Sequence, residues 1–211
     1  MNSTRNNDFK DIITGRRSIR NYDKSVKISK EEMTEILTEA TLAPSSVNLQ
    51  PWRFLVIDSE EGKATLAPLA KFNQTQVETS SAVIAVFVDM KSLDYTERIY
   101  NEAVEKGYMP AEVRDRQIPG IKGLLSQLPD QAMREMNLID GGLVSMQLML
   151  AARHHGYDTN PIGGYEKDQI AEAYGMDKER YYPVMLLSIG KAVDEGYPSV
   201  RLPIAEITEW K

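Results

Sequence analysis

Three short apolar runs, rich in β-branched residues, are the clearest feature of the hydrophobic pattern along the chain. They cover residues 52–57, 82–88 and 184–189, and turn-forming residues bound each of them. Runs of this length and composition predict buried β-strands. A weaker fourth strand is predicted over residues 158–162.

Helical spacing of apolar residues marks several of the intervening segments. Residues 8–14 predict a short amphipathic helix, and the sequence Ser29-Lys30-Glu31-Glu32 is a capping box that opens a second helix. The second helix is expected to run to about Leu42, because Pro44 cannot continue it. Another short helix is predicted to begin at Ser59.

The longest helix is predicted over residues 130–155, where a basic last turn followed by glycine is typical of a helix C-terminus. Its second half is apolar almost all round, which predicts burial at the centre of the fold. Gly141 and Gly142 lie inside it, and each costs about 1 kcal/mol of helix stability relative to alanine. We therefore expect another part of the chain to approach closely there.

Strands that alternate with helical segments favour a layered α/β arrangement over a β-sandwich. Residues 90–129 are charged and interrupted by proline and glycine, so short helices and loops are expected there, outside the main core. Residues 191–211 are polar and extended, and their apolar piece at residues 204–207 needs burial against this chain or a partner subunit. Residues 1–211 together are expected to form one domain.

Composition excludes several classes of function. The chain has 211 residues, a formal net charge of −6 and no cysteine. The acidic balance argues against a nucleic-acid-binding protein, and the lack of cysteine excludes disulfides, iron–sulfur clusters and thiol nucleophiles. No secretory signal and no apolar run long enough to span a membrane is found, so a soluble cytoplasmic protein is predicted.

Familiar catalytic motifs are absent from the sequence. It contains no Gly-x-Gly-x-x-Gly, no P-loop, no Gly-x-Ser-x-Gly and no His-Glu-x-x-His. The only histidines, His154 and His155, are adjacent at a predicted helix end, and adjacent residues face different directions. We interpret them as cations that complement the helix dipole, and no metal site is expected.

A basic cluster lies near the N-terminus. Residues 1–20 carry a formal charge of +3, which leaves −9 for the rest of the chain. Arg16, Arg17, Ser18 and Arg20 follow the first predicted helix. Guanidinium groups bind phosphate oxygens in pairs of parallel hydrogen bonds, so this cluster is a candidate phosphate site. A solvated charge run after a helix is the alternative.

Two loops and a C-terminal arginine are further candidates. Residues 43–52 form a polar loop that either offers hydroxyl and amide groups to a ligand or serves as a plain turn. Gly163 and Gly164 follow a predicted strand and allow a flat ligand to approach backbone N–H groups, although turns use the same pair. Arg201 is either a ligand-binding residue or a surface residue.

Four short motifs follow one another over nearly the whole chain. They are Arg-Arg-Ser-Ile-Arg (16–20), Pro-Ser-Ser-Val-Asn-Leu-Gln-Pro-Trp (44–52), Pro-Ile-Gly-Gly-Tyr (161–165) and Arg-Leu-Pro (201–203). In this order they resemble the FMN-dependent nitroreductase family. The resemblance implies an α+β fold, an α/β/α sandwich with a mostly antiparallel sheet flanked by helices. It also implies an intertwined homodimer with two FMN sites at the interface.

The resemblance implies roles for the basic residues. Arg16 and Arg201 are expected to hold the FMN phosphate. Arg17 and Ser18 are expected to contact phosphate or ribityl oxygens, and Arg20 is expected near the pyrimidine edge of the flavin.

The remaining predicted cofactor contacts surround the ring system. Asn73 is expected to hydrogen-bond the flavin, and Gln76 lies where many relatives place a lysine near N1 and O2. Gly163 and Gly164 are expected to present N–H groups near N5 and O4, although several relatives carry glutamate at the first position. The opposite subunit is expected to contribute Pro44, Ser45, Ser46 and Asn48, and the motif before the two glycines adds Pro161 and Ile162.

The implied activity is ping-pong hydride transfer. NADH or NADPH reduces flavin N5, and an electron-poor nitroaromatic or quinone is then reduced, with no catalytic side chain required. A member of the family specialised for an unsaturated or halogenated small molecule is one alternative. A non-catalytic flavin-binding module is the other.

Overall fold

One four-stranded sheet organises the fold in the computed structural model, which describes residues 5–211. The strands are β1 (Trp52–Ile57), β2 (Ala82–Asp89), β3 (Asp158–Ile162) and β4 (Tyr181–Gly190). The helices are α1 (Phe9–Gly15), α2 (Lys30–Ala40), α3 (Glu60–Leu66), α4 (Gln74–Thr79), α5 (Thr96–Glu105), α6 (Ala111–Leu125), α7 (Asp130–His154) and α8 (Lys167–Ala173). All four predicted strands are present, and β2 and β4 extend slightly beyond their predicted ends.

The sheet has the strand order β1-β2-β4-β3, and every neighbouring pair is antiparallel. Trp52 pairs with Val88 at one edge, and Ile162 pairs with Leu186 at the other. The edge strands β1 and β3 are separated by three strand spacings, which is about 14 Å. Groups carried by these two strands therefore lie on opposite sides of the molecule.

Alternating side chains of β2 enter two separate apolar layers. Ile84 and Val86 pack with α2 and α7 on one face, whereas Val83, Ala85 and Phe87 pack with α3, α4 and α8 on the other. This alternation follows from the two-residue period of a strand. The predicted α+β fold, with helices on both faces of an antiparallel sheet, is confirmed.

Helix α2 begins as its capping box predicts. The Ser29 hydroxyl accepts a hydrogen bond from the backbone N–H of Glu32 at 3.1 Å. The helix ends at Ala40, two residues before the predicted end. At the end of α7, Gly156 adopts φ +82°, the left-handed conformation that commonly stops a helix.

The close approach predicted at the paired glycines occurs at the first of them. A Cβ atom on Gly141 would lie 2.7 Å from Cγ2 of Val184 and 3.2 Å from Cγ1 of Val88. Helix α7 therefore packs directly onto β2 and β4 at a point where only glycine fits. Gly142 faces open space, with nothing within 4 Å of its added Cβ.

Burial of α7 on all sides, as predicted, is wrong for the single chain. Val144 and Leu148 are fully buried, but Ile139 is 66% exposed, Leu143 43% and Met146 41%. Their spacing places these three residues along one side of the helix. We call Ile139, Leu143 and Met146 the exposed stripe of α7.

Residues 90–129 contain more regular structure than predicted. Helix α6 is 15 residues long and continues through Pro119, which is exposed. The carbonyl group that loses its N–H partner there can reach solvent, so the proline is tolerated. A small apolar cluster formed by Leu49, Leu125 and Met133 packs this region separately from the two main layers.

Residues 191–211, which we call the C-terminal arm, begin beside residues 21–23, where Ala192 forms a β-bridge with Tyr22. Their only helical segment is the 3₁₀ turn Ile204–Glu206, within the part of the chain that is described. Ile204 and Ile207 are mostly exposed and Trp210 is 92% exposed, so this chain does not supply the burial that the arm needs. Across residues 5–211, no helix combines the length and apolar character needed to cross a bilayer.

Candidate functional site

Backbone contacts fix the basic cluster beside the edge strand β3. Ser18 forms a β-bridge with Thr159, and the N–H of Ile19 donates to the Thr159 carbonyl at 3.1 Å. The Tyr22 hydroxyl donates to the Ile19 carbonyl at 2.9 Å from within the core. The chain between Arg16 and Arg20 is therefore held in place by the sheet and is not a loose charge run.

Arg16 and Arg201 come together although they are far apart in sequence. Burial lowers the pKa of Arg16, and the nearby positive charge of Arg201, followed by those of Arg17 and Arg153, lowers it further. Arg153 is neutralised by Asp158 at 2.7 Å. Arg16 has no such carboxylate partner among residues 5–211, so this cluster of cations favours an anionic ligand.

Not every residue of the basic cluster points at the same place. Arg17 donates to the Thr14 carbonyl at 2.7 Å and to the Arg16 carbonyl at 3.0 Å, so its guanidinium group covers the end of α1. Arg20 is exposed. Ile162 is buried in the core layer behind the sheet, which leaves its backbone, but not its side chain, available to a ligand.

Three of the predicted ring contacts form one hydrogen-bonded group. The Asn73 amide donates to the Gly164 carbonyl at 3.1 Å, and the Gln76 amide donates to Oδ1 of Asn73 at 3.0 Å. An added Cβ on Gly163 would meet nothing within 4 Å, so the backbone in front of this group is open. The structure thus brings Asn73, Gln76, Gly163 and Gly164 together.

The loop at residues 44–50 is held by a residue that sequence reasoning missed. Asp140, buried in α7, accepts hydrogen bonds from the Ser46 N–H at 3.0 Å and from the Ser46 hydroxyl at 3.2 Å. Tyr100 donates to the Val47 carbonyl at 3.1 Å. An acidic residue between Ile139 and Gly141, at the start of the apolar half of α7, was the signal for Asp140.

Backbone strain is concentrated in the same loop. Val47, Asn48 and Gln50 have φ values of 43°, 55° and 49°, in the left-handed region that favours glycine. Each such residue costs on the order of 1–3 kcal/mol and persists only where its surroundings hold it. The Ser45 hydroxyl contributes by accepting from the Gln50 N–H at 3.1 Å.

The predicted cofactor residues therefore form two separate groups. The loop residues Pro44, Ser45, Ser46 and Asn48 precede β1, whereas Gly163 and Gly164 follow β3 at the opposite edge. No hydrogen bond between the described residues joins the two groups. Beside the loop is a cavity of about 720 Å³, lined by residues that include Asn48, Gln50, Arg98, Lys106 and Tyr108.

Asp89 is a second acidic residue that sequence reasoning missed. It is fully buried, and Arg180 donates to both of its carboxylate oxygens at 2.8 Å, while Arg53 donates at 3.2 Å. Burial alone raises its pKa, but the hydrogen bonds from Arg180 and from the Lys91 N–H outweigh burial and hold the pKa below its usual value. The carboxylate is fully used by these partners, which indicates a structural role.

The histidines differ from their predicted arrangement. His155 is completely buried, and its Nε2 and Nδ1 atoms lie 3.2 Å from Glu39 and 3.6 Å from Glu32. The two imidazole rings approach edge to face, with centroids 5.2 Å apart. The expectation that adjacent histidines diverge is wrong here: the His155 N–H still donates to the Ala151 carbonyl at 3.0 Å, and the two rings meet at the C-terminal end of α7.

Comparison with known proteins identifies the family. The model of the family described as the nitroreductase family matches residues 13–191, which include the basic cluster, the polar loop and the glycine pair. The chain belongs to the nitroreductase family.

Two relatives of this nitroreductase-family chain align with it over nearly its full length. YdgI of Bacillus subtilis, provisionally named an NAD(P)H nitroreductase, is 74% identical, and the alignment covers 97% of this chain and 98% of YdgI. A crystal structure from Exiguobacterium sibiricum, provisionally described as a nitroreductase in complex with FMN, is 75% identical. It has a TM-score of 0.97, with 99% of this chain and 100% of that chain covered.

A more distant relative has a more specific name. The CLA biosynthesis enone reductase of Lactiplantibacillus plantarum is 36% identical to this nitroreductase-family chain. The alignment covers 93% of this chain and 91% of that protein.

Proposed function

We propose that this nitroreductase-family protein is an FMN-dependent NAD(P)H oxidoreductase that reduces electron-poor molecules such as nitroaromatics and quinones. The observation that carries the proposal is the β-bridge between Ser18 and Thr159, which holds the basic cluster along β3, the strand that leads to Gly163 and Gly164. Guanidinium groups fixed there favour a phosphate-sized anion. A 75% identical protein was crystallised with FMN, which supports the FMN phosphate as this anion.

The residues present fit FMN in charge and in shape. Arg16 and Arg201 would hold its phosphate, with Arg17 and Ser18 beside them, and the open backbone at Gly163 and Gly164 would accommodate a flat ring. Pro161 and Ile162 position that backbone at the end of β3.

Amide and guanidinium groups would face the polar edge of the ring. Gln76 is buried and oriented by Asn73, so its amide is positioned to donate, and Arg20 would supply the positive charge that Gln76 lacks. Donors and cations fixed in advance stabilise negative charge as it develops, as in an oxyanion hole.

The chemistry that FMN supplies when bound is ping-pong hydride transfer, from NADH or NADPH to flavin N5 and then to the electron-poor substrate. The chain's own residues bind, orient and stabilise charge, and none of them needs to act as an acid, a base or a nucleophile.

We propose further that two chains build each site. The polar loop and the glycine pair are carried by the two edge strands of the sheet, which are about 14 Å apart. We therefore propose that each flavin contacts the loop of one chain and the glycine pair of the other. The exposed stripe of α7 and the exposed apolar residues of the C-terminal arm are surfaces that such a homodimer would bury.

A second candidate substrate class is the α,β-unsaturated carbonyl compounds. The relative named an enone reductase favours it, because that protein is 36% identical over nearly the whole chain. The same hydride transfer would then end at a conjugated carbon instead of a nitro group or a quinone.

The absorbance spectrum tests the proposed function. The purified protein is expected to show the spectrum of oxidised flavin, and NADH or NADPH should bleach it in the absence of oxygen. Adding a nitroaromatic, a quinone or an enone to the bleached protein should restore the colour and rank the substrate classes. A flavin spectrum that neither nicotinamide bleaches would indicate a non-catalytic flavin-binding protein.

Replacing either Arg16 or Arg201 with alanine is expected to weaken FMN binding about tenfold to hundredfold. A hydrogen bond between charged groups is worth about 1.5–3 kcal/mol, which corresponds to that range. FMN retained through purification and the FMN dissociation constant are the measurements. Arg116→Ala, which removes an exposed arginine from α6, is the matched control. If both variants bind FMN as tightly as the wild type, the phosphate assignment is wrong.

Removing residues 202–211 is expected to release monomers and FMN together, because the arm is proposed to bind the partner chain. Light scattering coupled to size-exclusion chromatography measures the first effect, and flavin absorbance measures the second. The full-length double variant Ile204→Ser/Ile207→Ser separates loss of apolar burial from loss of length. A truncated protein that remains a dimer contradicts this role for the arm.

A further inference from the structure

Three potential metal ligands meet where the C-terminal end of α7 packs along α2. Glu39 is in the last turn of α2, His154 is the last residue of α7, and His155 follows it. One ligand atom from each of these residues lies within 4.8 Å of the others. We propose that Glu39, His154 and His155 bind a divalent transition-metal ion of the Zn²⁺ class, at a site separate from the flavin residues.

The hydrogen bonding of His154 leaves its other nitrogen available. Its Nδ1 lies 2.8 Å from the backbone carbonyl oxygen of Asn6, and because a carbonyl can only accept, Nδ1 carries the proton. Nε2 of the neutral ring then carries a free lone pair. Metal-binding histidines are commonly oriented in this way, with the second nitrogen donating to a carbonyl or a carboxylate. The Asn6 N–H also donates to the His154 carbonyl at 2.8 Å, which fixes the residue from both sides.

His155 has polar atoms that the protein leaves without partners. Neither ring nitrogen makes a hydrogen bond to any described residue, although the side chain is fully buried. Nδ1 is 3.6 Å from the carboxylate of Glu32, which also accepts from the Tyr157 hydroxyl at 2.7 Å. Nε2 lies 3.2 Å from a carboxylate oxygen of Glu39, so these two atoms are near enough to bind one metal ion together.

Glu39 can complete the site. Its carboxylate is partly exposed, and among the described residues its only ionisable neighbour within salt-bridge distance is His155. Zinc binds nitrogen and oxygen ligands at about 2.0–2.2 Å, which requires ligand atoms about 3.5 Å apart in a tetrahedral site. The three ligand atoms lie within 4.8 Å of one another, and rotation of the Glu39 side chain brings its carboxylate to the shorter separation that a zinc ion requires. An adjoining cavity of about 370 Å³, lined by Glu39 and His154, admits the ion and a water ligand.

The types of ligand at this cluster indicate which metal ions it would bind, and the composition of the chain allows that binding to be assigned to the cluster. Two imidazoles and a carboxylate suit Zn²⁺, Co²⁺, Ni²⁺ and Cu²⁺, whereas Mg²⁺ and Ca²⁺ prefer oxygen ligands alone. The sequence contains two histidines and no cysteine. Tight binding of Zn²⁺ by the untagged protein therefore reports on this cluster, because the chain has no other imidazole or thiolate.

The test is metal titration of the untagged, FMN-loaded protein. Calorimetry with Zn²⁺ is expected to give one ion per chain, and Co²⁺ is expected to produce visible absorption bands that Zn²⁺ removes. Glu39→Gln and His154→Asn are each expected to weaken Zn²⁺ binding by about tenfold or more. Both side chains are partly exposed, so the variants keep the fold, and retention of FMN verifies this.

Glu172→Gln is the matched control, because it removes a partly exposed glutamate from α8, away from the cluster. It is expected to leave the Zn²⁺ affinity unchanged. The proposal is overturned if the wild type binds no Zn²⁺, if Mg²⁺ binds as tightly as Zn²⁺, or if the Glu39 and His154 variants bind like the wild type.

Discussion

Replacing Asp89 with alanine is expected to lower the free energy of unfolding by about 3 kcal/mol, the largest loss of stability that we predict for a single side chain. Breaking a buried ion pair by removing one partner costs about 3–5 kcal/mol, because the other charge stays behind. Arg180 and Arg53 are 25% and 30% exposed and can recover some hydration, so the lower end of the range applies. Chemical denaturation of wild type and variant measures the difference.

The pH dependence gives this prediction a second, independent check. The folded state lowers the pKa of Asp89, so the stabilising charge is fully present above the unfolded pKa of about 3.9. Stability is lost as the pH falls through the lower, folded pKa. The difference between wild type and Asp89→Asn should therefore shrink as the pH is taken below about 4.

An exposed ion pair of the same length is the matched control. Lys122 and Glu97 are 2.7 Å apart, close to the 2.8 Å of Arg180 and Asp89, but both side chains are solvated. Glu97→Ala is expected to leave the denaturation midpoint unchanged, because exposed pairs contribute little. Equal effects of the two substitutions would mean that burial does not set the strength of the Asp89 pair.

Replacing Asp140 with alanine is expected to release the loop at residues 44–50. The Ser46 N–H and hydroxyl lose their acceptor, which costs about 1–3 kcal/mol of stability where the groups stay buried. Without this anchor, the left-handed residues Val47, Asn48 and Gln50 relax toward unstrained conformations. Since the loop is proposed to contact the flavin of the partner subunit, FMN binding should weaken by about tenfold or more, an estimate from the same hydrogen-bond loss.

Asp140→Asn separates the hydrogen bonds from the charge. Burial, opposed in part by the hydrogen bonds from Ser46, raises the pKa of Asp140. The folded state therefore holds the proton more tightly, and stability falls as the pH rises through the folded pKa. At pH 7 the neutral asparagine, whose Oδ1 still accepts from Ser46, should be at least as stable as the wild type. Denaturation and FMN retention should rank Asn and wild type above Ala; an Ala variant equal to the wild type contradicts the anchoring role.

The elements of this fold could be predicted from the sequence because their signals are local. The apolar runs specify β1, β2 and β4, and Ser29 and Glu32 define the start of α2 within four residues. The close contact at Gly141 was predictable for a similar reason: two glycines inside a buried helix have a cost that only packing explains.

The long-range contacts could not be predicted in this way. Ser46 and Asp140 are 94 residues apart, and nothing near either of them specifies the other. The same holds for Glu39 and His155, which meet only because α2 packs along α7. Helical spacing does predict which residues share the exposed stripe of α7, but it does not say whether this chain or another covers them.

The exposed stripe of α7 has a further consequence through symmetry. In a homodimer with a two-fold axis, each residue of the interface occurs twice, once on each chain. In the proposed homodimer, a single substitution at Ile139, Leu143 or Met146 would therefore change the contact at two positions, and its effect on association would be roughly doubled. In the proposed homodimer, a mutation in the stripe would be more damaging to association than one at an equally exposed apolar residue outside the interface.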